Sequence, residues 1–394
     1  MRHWHTITLV FILASVGLLL ANAGPITPMR VLGISAALAL LGLVFIIARG
    51  LIGDIWALLP VVMLGFAPPF LAYGSDGLPG ISAALALLTA IWTFAYFVQH
   101  PSRSGLIIAG FAFGGALLVH PMGFMTGAIN VTLAFAALMT SIAVDWKDVA
   151  PEMRRHRFII RAMRYARGTS VVLGIGIALA YLFYAAAPAM PTAEDTPLII
   201  AWIGENAALR PFGAYLLHIV QYIQTLPALN AHIGTAFALT LPLPLLGLFV
   251  IALWSGISGM LRAAFEDIIA KEPMLINHIA TNPVGFALQL STATYLAVGL
   301  ADPNSRGALM LILPPLTILA AGAIKRWFII IDEELLRNSL LRVLVLAQNI
   351  GSISIKALVL AMLLLTAIIT ALISAPNFSA YTNVIGRVIT NIAN

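Results

Sequence analysis

Residues 29–77 read MRVLGISAALALLGLVFIIARGLIGDIWALLPVVMLGFAPPFLAYGSDG. Two apolar runs, near 30–48 and 55–73, are joined by a short turn holding Arg49, Gly53 and Asp54. The second run ends in Pro68-Pro69, Tyr73 and a single acid, Asp76. About 20 consecutive apolar residues make a helix long enough to cross a bilayer. A transmembrane barrel strand would instead alternate apolar and polar residues over about ten positions, and these runs are continuous.

The rest of the chain repeats the pattern. It is 61% hydrophobic and 9% charged, with mean hydropathy +1.01. Soluble domains carry about 25% charged residues and have no core large enough to hide this much apolar surface. The expected fold is therefore all-α, a polytopic transmembrane helical bundle forming one domain over 1–394. About eleven spans are expected, near 5–22, 30–48, 55–73, 78–98, 105–120, 124–144, 169–188, 234–256, 284–301, 307–324 and 352–374. No cysteine is present, which excludes disulfides, thiolate catalysis and Cys-ligated metals. No metal site or bound cofactor is expected.

The net charge of +6 follows topology and does not point to nucleic acid. Arg49, Arg103, the basic segment 145–168 and Lys325-Arg326 all fall on one side if the first helix enters from the cytoplasm. That places the chain in the cell (inner) membrane with its N-terminus cytoplasmic. MRHWHTITLVFILASVGLLLANAG reads as an uncleaved first helix, the alternative being a signal-peptidase site at Ala21-Asn22-Ala23. Residues 145–168 form a cytoplasmic loop whose first role is topological and whose second is contact with anionic lipid. Residues 261–280 and 332–350 alternate charged and apolar faces, as helices lying along a membrane do. Residues 189–233 are external, and LRPFGAYLLHIVQYIQTLP within them reads as an interfacial helix. Gly110 and Gly114 have the spacing of close helix packing.

The opening stretch resembles a run in the GT-C glycosyltransferases, those related to protein O-mannosyltransferases and the aminoarabinose transferase of lipid A. Arg30, the Arg49–Gly53 turn, Pro68-Pro69, Tyr73 and Asp76 carry the likeness. It continues in HPSRSGLIIAGFAFGGALLVHPMGF, ENAALRPFGAYLL and SRGALMLILPPLTILAAGAIKRW, in family order. The resemblance implies a GT-C-like fold and glycosyl transfer from a polyprenyl-phosphate sugar at the outer membrane face. Such transfer needs a base for the acceptor hydroxyl and cationic or polar partners for the departing phosphate. Asp76 matches the family's second acidic position, and Glu194-Asp195 is the external acidic pair offered as a replacement base. His120, Arg210 and Arg306 are the expected lipid-phosphate ligands. Each has a plainer alternative: a turn cap for Asp76, a solvated loop for Glu194-Asp195 and a hydrogen-bonded helix end for His120. For Arg210 and Arg306 it is pairing with Glu205 or Asp302, or with an ordinary lipid headgroup.

The sequence departs from the family after the first span. ANAGPITP connects to the second within about eight residues and holds no Asp or Glu, where GT-C enzymes have a long catalytic loop. A second reading is therefore kept: a GT-C-fold lipid-binding or structural subunit without catalysis, with partner membrane proteins. A transporter is the third, disfavoured because the spans carry almost no ionisable residue near mid-membrane. The expected partners are membrane lipids, polyprenyl phosphate among them.

Overall fold

The computed structural model describes residues 28–65, 67, 70, 79–148, 151–185, 209–224, 282–301 and 306–337. Every regular element among them is helical. In chain order they are α1 (Pro28–Ile52), α2 (Leu58–Gly65), α3 (Pro79–Gln99), α4 (Arg103–Val119), α5 (Gly123–Asp148), α6 (Pro151–Ala185), α7 (Arg210–Gln224), α8 (Pro283–Ala301) and α9 (Arg306–Arg337). Among the described residues, three stretches are long and apolar enough to cross a membrane: Val31–Ile52, Gly80–Gln99 and Glu152–Ala185. Two shorter apolar helices cover Arg103–Val119 and Gly123–Met139. Together with the composition, these make the chain a membrane protein. The spans expected near 5–22, 234–256 and 352–374, and the surface segment 261–280, lie outside the described residues.

The chain divides into two compact units. The first holds α1, α2 and α9, with α2 and α9 packed on α1 and on each other. On α1, Ala37, Leu40, Leu41, Val44, Ile47 and Ala48 form a buried stripe at helical spacing. Leu32 and Ile46 on the same helix are more than half exposed, so apolar residues surround it, as lipid contact requires. The helix stops because Gly53 follows it at φ +86°, a left-handed value at which a side chain is strained. Three charges gather at this end. Arg49 Nε lies 2.6 Å from Asp54 Oδ1, and Lys325 Nζ of α9 donates to the Ile52 carbonyl at 3.0 Å. Residues expected on one side of the membrane thus meet at one end of the unit. Within α9, Pro314 and Pro315 remove the N–H groups that would reach the carbonyls of Met310 and Leu311.

The second unit holds α3 to α8. Ser102 caps α4, its Oγ accepting from the Gly105 N–H at 3.0 Å. Asn282 does the same for α8, with Oδ1 accepting from Gly285 N–H at 2.9 Å. The main contact is between α4 and α6. Gly110 lies against Ile175, and Gly114 against Leu179 and the Gly176 backbone, while Gly176 lies against Phe113. Small residues facing each other let two backbones approach, which is the packing expected for the Gly110–Gly114 pair. The pairings rise together along both chains, so α4 and α6 run parallel. Gly123 and Gly127 of α5 lie against Ala116 and Phe113 in descending order, so α5 returns antiparallel. That up–down–up order is the expected alternation for these three spans.

Two elements differ in extent from their expectations. Helix α9 continues past the span expected over 307–324 to Arg337, into the segment expected as a surface helix from 332. The helix expected from residue 169 begins at Pro151, so most of the expected 145–168 loop belongs to α6. Its 35 residues measure about 52 Å at 1.5 Å each, beyond the roughly 30 Å hydrocarbon layer.

Candidate functional site

The candidate site is the end of the second unit where α4 finishes, α6 finishes and α7 begins. Pro121 decides how α4 stops. A residue before proline is pushed out of the helical region, and His120 adopts φ −150°, ψ 139°. Its backbone N–H still reaches the Ala116 carbonyl at 3.4 Å, and its own carbonyl accepts from Gly123 N–H at 2.8 Å. The His120 Nδ1 accepts from Met122 N–H at 3.1 Å. A neutral ring accepting at Nδ1 carries its proton on Nε2 and is a donor there. His120 is thus a hydrogen-bonded helix end, the plainer of its two expected roles, with a ring polarity that also suits an anion.

Arg210 is the first residue of α7, followed by Pro211, a residue favoured in a first helical turn because its missing N–H is not needed there. Pro211, Tyr215 and Leu217 are buried, and Arg210 and Phe212 are exposed. This is the amphipathic helix expected within 209–227. Tyr215 stacks edge-on against Tyr184 of α6, ring centres 5.6 Å apart.

A cavity of about 20 Å³ lies where the three helices meet. Leu117 of α4, Ile177, Ala180 and Tyr181 of α6, and Pro211, Phe212 and Tyr215 of α7 form its wall. That volume holds about one water molecule, far less than a sugar. His120 follows Leu117 by one turn and Arg210 precedes Pro211, so two of the three expected phosphate ligands border this junction. Burial pushes the Tyr215 hydroxyl above its ordinary value, and the nearby Tyr184 adds to the rise. The group stays a neutral O–H donor, with no hydrogen-bond partner among the described residues.

Among the described residues where α6 ends and α7 begins, Leu182, Phe183, Leu209 and Phe212 are each at least 40% exposed. A guanidinium set among exposed apolar side chains matches an amphiphile with an anionic head.

The other expected site residues are not among those described at this junction. Arg306 begins α9 in the first unit, where only its backbone is described. Asp76, Glu194 and Asp195 lie outside the described residues. The sequence reading did not single out Tyr215 as a site residue. It also missed a polar cluster between α5 and α8. There Thr126 and Asn130, one turn apart and fully buried, face α8, and the Thr126 and Tyr295 hydroxyls approach each other. Neither amide atom of Asn130 has a hydrogen-bond partner among the described residues. The available signal was a threonine and an asparagine at i, i+4 in an otherwise apolar helix.

No protein-family model matches the chain, and no curated protein matches it. Among solved structures it is similar to the archaeal oligosaccharyltransferase AglB from Archaeoglobus fulgidus, in complex with an inhibitory peptide and a dolichol-phosphate. The identity is 14% and the TM-score 0.48, over 88% of this chain and 44% of that one. It is also similar to an Archaeoglobus fulgidus oligosaccharyltransferase in complex with zinc and sulfate, at 16% identity and TM-score 0.40, over 81% of this chain and 39% of that one. The chain spans less than half the length of either protein.

Proposed function

We propose that this chain is a GT-C-like membrane protein of about eleven spans. It binds a polyprenyl-phosphate lipid at the Arg210 end of its second unit and transfers a glycosyl group from it at the outer face of the inner membrane. The observation that carries the reading is Arg210 exposed beside exposed apolar side chains, at the end that also carries His120. The order of the family-like motifs supports it. In such a transfer the acceptor hydroxyl attacks the anomeric carbon and the bond from that carbon to the phosphate oxygen breaks. The phosphate leaves with the electron pair, and a base takes the hydroxyl proton. Arg210 and the His120 Nε2–H are the proposed partners of the phosphate in the second unit, with Arg306 kept as the phosphate ligand the resemblance implies. Asp76, Glu194 and Asp195 are the proposed carboxylate bases for the proton.

A second reading has its own observation. ANAGPITP lacks the acid that the family's first external loop supplies, and general-base assistance contributes roughly 10²- to 10⁴-fold. Lipid binding needs only charge and an apolar surface, so the alternative is a lipid-binding or structural subunit without catalysis.

The test uses purified full-length protein with a panel of polyprenyl-phosphate sugars and the sugar-free lipid, measuring binding and transfer separately. Arg210→Gln should weaken binding, and Glu194→Gln/Asp195→Asn should abolish any transfer while leaving binding intact. Binding without turnover selects the second reading. Turnover unaffected by the double change would place the base elsewhere. Failure to bind any of these lipids would remove the transferase reading and leave a structural subunit.

A further inference from the structure

The opposite end of α6 carries a different feature. Between Pro151 and Gly168 the helix holds six arginines and one acid, Glu152. At 100° per residue, Arg154, Arg157, Arg161 and Arg164 fall within an arc of about 80°, and Arg167 lies about 60° beyond it. The five extend about 20 Å along the axis at 1.5 Å per residue. Arg155, about 100° round from Arg154, lies on the opposite face. Arg157, Arg164 and Arg167 are exposed. Ile159, Ala162, Met163 and Ala166 occupy the opposite face, with Ile159 42% and Met163 58% exposed.

Continuity with the span identifies the occupant. At Gly168 the helix becomes buried, lying against Phe97, and it then packs on α4. The arginines therefore begin where the apolar part of α6 ends, at the depth of phospholipid headgroups. An arginine face backed by an apolar face is the pattern of a helix at an anionic membrane surface. Guanidinium groups pair with phosphate in bidentate fashion.

We propose that the arginine stripe of α6, from Arg154 to Arg167, is a binding surface for the headgroups of anionic bilayer phospholipids. It is distinct from the polyprenyl-phosphate end at Arg210 and does not depend on that reading. The stripe holds the leaflet's anionic lipids beside α6 and fixes the depth of the helix in the bilayer.

The test titrates full-length protein in detergent with phosphatidylglycerol or phosphatidylcholine and counts bound lipid by native mass spectrometry. The native chain should retain phosphatidylglycerol preferentially, and added salt should weaken that preference. A basic residue near the surface contributes about fivefold to such attraction. Arg157→Gln/Arg164→Gln/Arg167→Gln should then reduce the preference about 100-fold. Arg157→Lys/Arg164→Lys/Arg167→Lys, which keeps charge and helix propensity, should retain most of it. Equal retention of the two lipids by the native chain overturns the proposal. So does full preference in the glutamine variant, or loss in the lysine variant with its helix content intact.

Discussion

Two glycines two residues apart on α6 offer a controlled comparison. An added Cβ at Gly176 meets Phe113 Cδ1 and Cε1, and the Gly114 backbone nitrogen at 3.2 Å. At Gly174 it meets nothing within 4 Å. Alanine at either position gains about 1 kcal/mol of intrinsic helix preference. Only at position 176 does it also force the Phe113 ring and the α4 backbone away, an overpacking cost of about 1–3 kcal/mol. Gly174→Ala should therefore stabilise by about 1 kcal/mol, while Gly176→Ala should range from neutral to about 2 kcal/mol destabilising. The gap of about 1–3 kcal/mol is roughly 5- to 150-fold in the unfolding equilibrium. Reversible unfolding in mixed micelles, followed by helical circular dichroism, measures both variants against the native chain. Adding Phe113→Leu to Gly176→Ala should recover part of the loss, since the smaller side chain vacates the contact. Equal shifts for the two alanines would refute the close α4–α6 approach and the parallel pairing drawn from it.

Lys325→Met should destabilise by about 1–2 kcal/mol, because the Ile52 carbonyl loses a charged donor; exposed Arg326→Gln should stay within about 0.5 kcal/mol in the same assay. Asn130→Leu should be neutral or stabilising by about 1–3 kcal/mol, since it replaces a buried amide whose atoms lack partners with an apolar group of similar size; a loss on this substitution would show that the amide is satisfied in the membrane. Because the chain has no cysteine, Ile160→Cys and Phe212→Cys report topology directly. They should label from opposite faces of the membrane, and labelling of position 160 from outside would overturn the assigned orientation. Tyr215 has a raised native pKa, so its contribution is intact below the unfolded value near 10 and is lost as pH climbs from there towards the native value. Alkaline unfolding of Tyr215→Phe should lack that part of the decline.

Helix existence was legible where apolar length alone decides it. The expected spans near 30–48, 78–98 and 105–120 correspond to α1, α3 and α4, with ends displaced by a few residues. The amphipathic α7 was legible because Pro211 and the aromatic pattern mark its start and its buried face. Hydropathy missed the first half of α6, because it registers transfer into lipid, whereas arginine is a good helix former that extends the helix into the headgroup layer. Of the span expected over 55–73, α2 covers Leu58–Gly65, and most of the stretch after it lies outside the described residues. For the site, proline and sidedness put His120 and Arg210 at one end, but the isolation of Tyr215 and Asn130 depends on neighbours from other helices. Periodicity contains no such information. The acids Asp76, Glu194 and Asp195 lie outside the described residues, so the sequence remains their only witness.

The two prolines inside α9 have a mechanical consequence. Beyond them the helix is tethered through Lys325 to the end of α1. At Pro314 and Pro315 its ladder lacks two rungs, and proline is the commonest place for a helix to kink. Met310, Ile312 and Leu313, on the far side of the prolines from that tether, are buried, so the softened point lies inside the packed unit and a bend there moves buried side chains. Replacing both prolines with alanine would restore the two missing rungs and stiffen the helix within its packing.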